Sequence, residues 1–154
     1  MLTALLFLHN LLRWLVIVAG AAAVGTALSG LRRKGPPSAG EARAGLVFTI
    51  ALDTQVLIGL AMYVIDGSTA RAAMAAGGAA MKDGAMRFWL VEHPLMMVAA
   101  LVLAHVGRVL FKRATDDDRK HRRALTFFGL ALLAILAGMP WPFLAHGRSL
   151  LPHF

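Results

Sequence analysis

Between Leu2 and Leu31 the chain carries a single formal charge, Arg13, in an otherwise largely apolar run. About 20 such residues cross a bilayer as a helix, so this run is long enough to span with residues left over. A cleavable leader places positive charge ahead of its apolar core. Nothing positive precedes His9, so the run reads as an uncleaved helix. It stops at Arg32-Arg33-Lys34-Gly35-Pro36-Pro37, where the prolines cannot continue a helix and the basic cluster resists translocation.

Three more apolar runs follow. With the first, they predict an all-α fold, a single membrane domain over 1–154 with four transmembrane helices at about 2–31, 44–65, 88–110 and 124–139. Composition agrees: 58 % of residues are apolar and 16 % charged, against roughly half and a quarter in a soluble domain. The net charge of +8 does not indicate nucleic acid, because its basic residues gather in two short connections. Arg32, Arg33, Lys34 and Arg43 lie in one, and Arg108, Lys112, Arg113, Arg119, Lys120, Arg122 and Arg123 in the other. Such an asymmetry encodes orientation, with the basic side cytoplasmic. Both termini and the 66–86 connection then face the outer, periplasmic side of a bacterial inner membrane, where Trp14, Trp89 and Trp141 form an aromatic belt. The 66–86 connection has room for a short interfacial helix, although Gly77-Gly78 argues against one long one. The absence of cysteine excludes disulfides, thiolate metal sites and covalent c-type haem.

Polar side chains inside such helices are expensive and ask for partners. His9 and Arg13, four residues apart, share a face near the outer end of helix 1. Glu92 and His93 fall at comparable depth on helix 3, which runs in the same direction. Arg13 is expected to pair with Glu92, and His9 with His93. His9-Asn10-Leu11-Leu12 and His93-Pro94-Leu95-Met96 also echo one another, as two hairpins related by a parallel repeat would.

Two imidazoles on facing helices suit a haem iron, with His9 and His93 as axial ligands and Arg13 against a propionate. Room for a porphyrin is expected from Gly20, Ala21, Ala22, Ala23, Gly25, Gly59, Ala61, Ala99 and Ala100. The alternative is that the two histidines are structural and satisfied locally. Met96 and Met97 keep copper open as a third reading.

A second polar layer is expected deeper: Asp53 pairs with His105, while Gln55 points to another side of helix 2. It would serve as a proton relay, a quinone-site polar group, or mutual satisfaction of two buried groups. His121, His146 and His153 read as solvated, and Asp116-Asp117-Asp118 before Arg119-Lys120 as a charged helix entry. No phosphate-binding glycine motif, nucleophile elbow or zinc-protease helix is present.

Leu8-His9-Asn10-Leu11-Leu12-Arg13-Trp14, Gln55-Val56-Leu57-Ile58-Gly59-Leu60, Glu92-His93-Pro94-Leu95-Met96-Met97, Lys120-His121-Arg122-Arg123 and Gly138-Met139-Pro140-Trp141-Pro142 together resemble a family. It comprises small bacterial four-helix membrane proteins labelled cytochrome b or cytochrome b-like. The resemblance implies haem b, with His9 and His93 the matching histidines, and departs at or beside Asp53, where the family carries a histidine. The expected function is b-type haem electron transfer between a quinone and an outer-side partner. The alternatives are a non-catalytic subunit of a larger membrane complex and a copper or small-solute carrier. A homodimer is also open.

Overall fold

The computed structural model describes residues 1–150 and is helical throughout its ordered elements. Helix α1 spans Leu2–Arg33 and α2 spans Ala39–Val64. The short α3 (Thr69–Ala75) and a 3-10 turn (Gly77–Met81) follow. Then α4 (Gly84–Arg87), a π-turn (Phe88–Glu92) and α5 (His93–Arg113) form one continuous helical stretch, and α6 spans Asp117–Ala137. Three stretches, Leu2–Arg33, Ala39–Val64 and Gly84–Arg113, are long and apolar enough to cross a membrane. The fourth long helix, α6, differs because its first two turns are charged, leaving only 124–137 apolar.

The connections are shorter than the charge runs suggested. Lys34 adopts a left-handed φ of 53° and donates its N–H to the Gly30 carbonyl, closing α1. Pro36-Pro37 breaks the chain, and Ser38 restarts it at once: its hydroxyl accepts the Glu41 N–H at 3.1 Å. The expected charged loop 111–123 is almost wholly helical. Asp116 caps α6, its carboxylate accepting the N–H groups of Asp118 and Arg119, so the triple aspartate is a helix entry in which acids face the positive helix end.

Among the long helices, α1 packs on α2 and α6, and α5 packs on α2 and α6. This is an up-down-up-down bundle with α1 and α5 at opposite corners, running the same way. Its core is built largely of alanine: Ala19, Ala23, Ala27, Ala100, Ala104 and Ala131 are buried, and the helices approach closely around Phe48 and Phe128. Those two rings meet edge to face at 5.8 Å. Gly20 is required there, since a Cβ would stand 2.9 Å from Phe48 Cε2.

The small residues therefore serve close packing and not a broad slot. Gly20, Ala23 and Ala100 are buried in the core, while Ala21, Ala22, Gly25 and Ala61 lie on the bundle's outer surface. The expected porphyrin room along helix 1 is absent among the described residues, because helix rotation turns half of that stretch outward.

Proline explains the π-turn. Pro94 has no N–H, so the Leu90 carbonyl four residues earlier lacks its helical donor. The Tyr63 hydroxyl from α2 donates to it at 2.6 Å. Tyr63→Phe is expected to orphan that carbonyl and cost about 1–3 kcal/mol, read as a lower thermal midpoint in detergent. An unchanged midpoint would mean that the carbonyl finds another donor.

Candidate functional site

The π-turn sets the geometry of the site. Its extra residue per turn re-aims Phe88, Trp89 and His93, and such bulges concentrate at functional positions. Phe88 is buried, and the Phe88 and Trp89 ring centres lie 5.8 and 5.6 Å from that of His93.

His9 and His93 come together from opposite corners of the bundle. Their ring centroids are 6.4 Å apart with planes at 66°. His93 Nδ1 lies 2.8 Å from the Gly138 carbonyl at the end of α6. A carbonyl only accepts, so Nδ1 carries the hydrogen, and the lone pair of a neutral ring is left on Nε2. His9 Cε1 lies against Gly59 of α2, where a Cβ would stand 3.4 Å away.

The remaining expected partners are arranged differently. Glu92 does not pair with Arg13. It accepts from Arg87 Nε at 2.7 Å on a half-exposed surface. The π-turn is the reason: with bonds to the fifth residue, positions five apart share a face, which an α-helix forbids. Buried Arg13 turns instead to the chain's C-terminal segment, where its Nη2 and the Trp14 indole donate to the Leu150 carbonyl at 2.6 and 3.0 Å. Gln55 belongs to this upper site and not to a deeper layer. It is buried, and its amide donates to the His9 carbonyl at 2.9 Å.

A cleft opens beside the two histidines, lined by α1, α2, the start of α3 and α5, with Met97 and Arg148 on its wall. The cleft has a volume of ≈ 230 Å³ and is partly open. Among the described residues, three buried polar atoms around it, His9 Nδ1, Arg13 Nε and Gln55 Oε1, make no hydrogen bond of normal geometry. The Gln55 backbone is a hydrogen-bonding neighbour of the His9 ring. Orphaned buried polar groups are rare and ask for a partner.

Part of this site was invisible in the sequence. The tail, which reads as short and mixed, doubles back so that Arg148 donates to Thr69 and stacks 4.4 Å over the Trp89 ring. His146 is not solvated: it stacks on Phe88 with ring centres 3.5 Å apart. His153 lies outside the described residues. Met97 is half-buried against the core, whereas Met96 is exposed. Among the described residues no group of three or more His, Asp or Glu side chains is placed to hold a metal ion.

His121 is also not solvated. It is fully buried at the basic end, with Nδ1 2.9 Å from Glu41 Oε1 and Nε2 2.8 Å from the Gly35 carbonyl. A Cβ on Gly30 would overlap its ring, so glycine is required there too. The deeper pair, Asp53 and His105, is in contact at 2.7 Å but stands on the outer wall, with 39 % and 51 % of the two side chains exposed.

Comparison with known proteins adds no family: no family model, curated protein or solved structure matches this chain.

The residues present fit the iron and acid ends of a haem. A metal held between two imidazoles by bonds of about 2 Å separates ring centres by roughly 6 Å, close to the 6.4 Å found. A fixed Nδ1–H on one histidine is the usual support for a metal ligand, and Arg13 Nε is an uncommitted donor for a carboxylate. The cleft volume of ≈ 230 Å³ is below the roughly 300 Å³ at which drug-sized pockets begin, so a macrocycle would need a wider cleft.

Proposed function

We propose that this chain is a b-type haem protein of the bacterial inner membrane, passing electrons between a quinone and a partner on the outer side. The observation that carries this reading is the His9–His93 pair at one cleft, with Arg13 Nε and Gln55 Oε1 buried beside it and unpartnered among the described residues. In this reading α6 is the fourth span and the basic connections lie in the cytoplasm, which puts the cleft in the outer leaflet. Bound there, a haem supplies a one-electron couple.

The chain's own part is to hold and shield. The Gly138 carbonyl keeps the hydrogen on His93 Nδ1, so Nε2 keeps its lone pair. Arg13, already fixed through Leu150, offers Nε to an acid group. Phe88 and Trp89 screen His93 from water, and Arg148 over Trp89 helps hold that wall in place.

The cleft volume favours a second reading. An apolar cavity of about 150 Å³ holds a benzene ring, so ≈ 230 Å³ takes a quinone head group, with Arg13 and the two histidines around its oxygens. The absorbance spectrum of the purified protein tests the first reading. A Soret band is expected, and a colourless protein from haem-supplied cells overturns the haem.

A further inference from the structure

Arg13, in the first half of α1, is only 7 % exposed. A guanidinium keeps its proton, so burial cannot neutralise it, and buried charges need a partner. Among the described residues Arg13 has only neutral ones. Its Nη2 donates to the Leu150 carbonyl, its guanidinium lies 5.6 Å from the Trp14 ring centre, and its buried Nε donates to nothing.

A second guanidinium reaches the same cleft. The Arg148 N–H bonds to the Pro140 carbonyl, which folds the tail back and sets the side chain on the cleft wall. Its partners are neutral as well, the Thr69 hydroxyl and the Trp89 ring. The charges of both arginines bear on the His9 ring.

No acid answers them among the described residues. The chain has eight acidic side chains. Glu41 and Asp116-Asp117-Asp118 belong to the opposite end of the bundle, and Asp53 is bonded to His105 on the outer wall. Asp66 pairs with Arg71 and Glu92 with Arg87, while Asp83 caps α4. None of the eight lines the cleft, whose wall is otherwise largely apolar, with Leu6, Leu52, Val56, Met97 and Ile135 among its residues.

We infer that Arg13 and Arg148 are the two arms of an anion site, and that the cleft takes a ligand with a carboxylate on an apolar body. The uncommitted Nε of Arg13 is a donor that a carboxylate accepts, and charge on both sides makes such a bond a strong one. The inference rests on this cleft being a ligand site, as in the proposed function, and on neither ligand named there. Haem carries carboxylates of its own, and a quinone head group carries none.

The purified chain in an uncharged detergent is titrated with acids, each beside a counterpart that lacks the charge. The pairs are haem and its dimethyl ester, octanoate and octanamide, and benzoate and benzamide. At least one acid is expected to bind about tenfold or more tightly than its counterpart. A preference for octanoate marks a lipid-derived chain acid, and one for benzoate a compact acid. Arg13→Gln and, separately, Arg148→Gln are each expected to cut the preference about threefold or more. Arg148 is half-buried, so its variant carries the test if Arg13→Gln fails to fold. The site is wrong if no acid is preferred over its counterpart, or if either folded variant keeps the parent's preference. Octanoate or benzoate preferred, with no haem bound, overturns the haem and supports the anion site. Haem bound no more tightly than its ester, with no preference for the other acids, overturns the anion site and leaves the haem.

Discussion

His121→Ala is expected to destabilise the protein by about 3–5 kcal/mol, the cost of leaving a buried charge without its partner. His121 is fully buried between α1, the 34–38 turn and α2, and both of its ring nitrogens are engaged. Nε2 faces a carbonyl and so donates. Nδ1 faces Glu41, itself buried, whose second oxygen has no hydrogen bond among the described residues. The arrangement accommodates an imidazolium beside a carboxylate.

Burial by itself lowers the pKa of His121. The hydrogen bonds to the Gly35 carbonyl and to Glu41, with the negative charge of Glu41, outweigh it, and the net shift is upward from 6.5. A pKa raised on folding stabilises the fold fully below the unfolded value and is lost as pH climbs through the folded one. Thermal stability in detergent should therefore be highest below about pH 6.5 and decline on the alkaline side. His121→Ala should flatten that decline. A variant as stable as the parent at pH 6, or one with the same alkaline decline, would show that the pair does not clamp the basic end.

His93→Ala is expected to weaken haem binding by more than the roughly 10–100-fold typical of losing a group behind a metal ligand. The ring it removes faces His9 and is oriented by Gly138. Glu92→Gln is the matching control. Glu92 neighbours His93 in sequence but pairs with Arg87 on a half-exposed surface, so its loss should leave affinity within about threefold, as for an exposed ion pair. Haem titration of the purified variants checks both. Equal losses for the two substitutions would point to damage at the π-turn and not to a ligand.

How much of this could be read from residues alone follows from what each inference needed. The meeting of His9 and His93 required only helix direction and depth, and hydropathy with loop charge provides both. Contact between Asp53 and His105 followed from depth as well. That this pair stands on the outer wall did not, because exposure depends on helix rotation, which packing around Phe48 and Phe128 decides. Arg13 with Glu92 failed on a local irregularity. Pro94 was visible, but that it would install a π-turn and bring Arg87 five residues round to Glu92 was not. His121 was hidden by its neighbours, since Lys120, Arg122 and Arg123 make the stretch read as solvated. The overlooked signal was on the other side of the contact: Ser38 and Glu41 as a helix cap directly after Gly35, with Gly30 one turn before the end of α1.

The most direct test of the central claim is the reduced-minus-oxidised absorbance spectrum of the intact protein, purified from haem-supplied cells. A Soret band is expected that sharpens and shifts on reduction, as for iron held by two imidazoles, and that is lost in both His9→Ala and His93→Ala. A spectrum with no absorbance beyond that of the aromatic residues, from protein that remains folded, would contradict it.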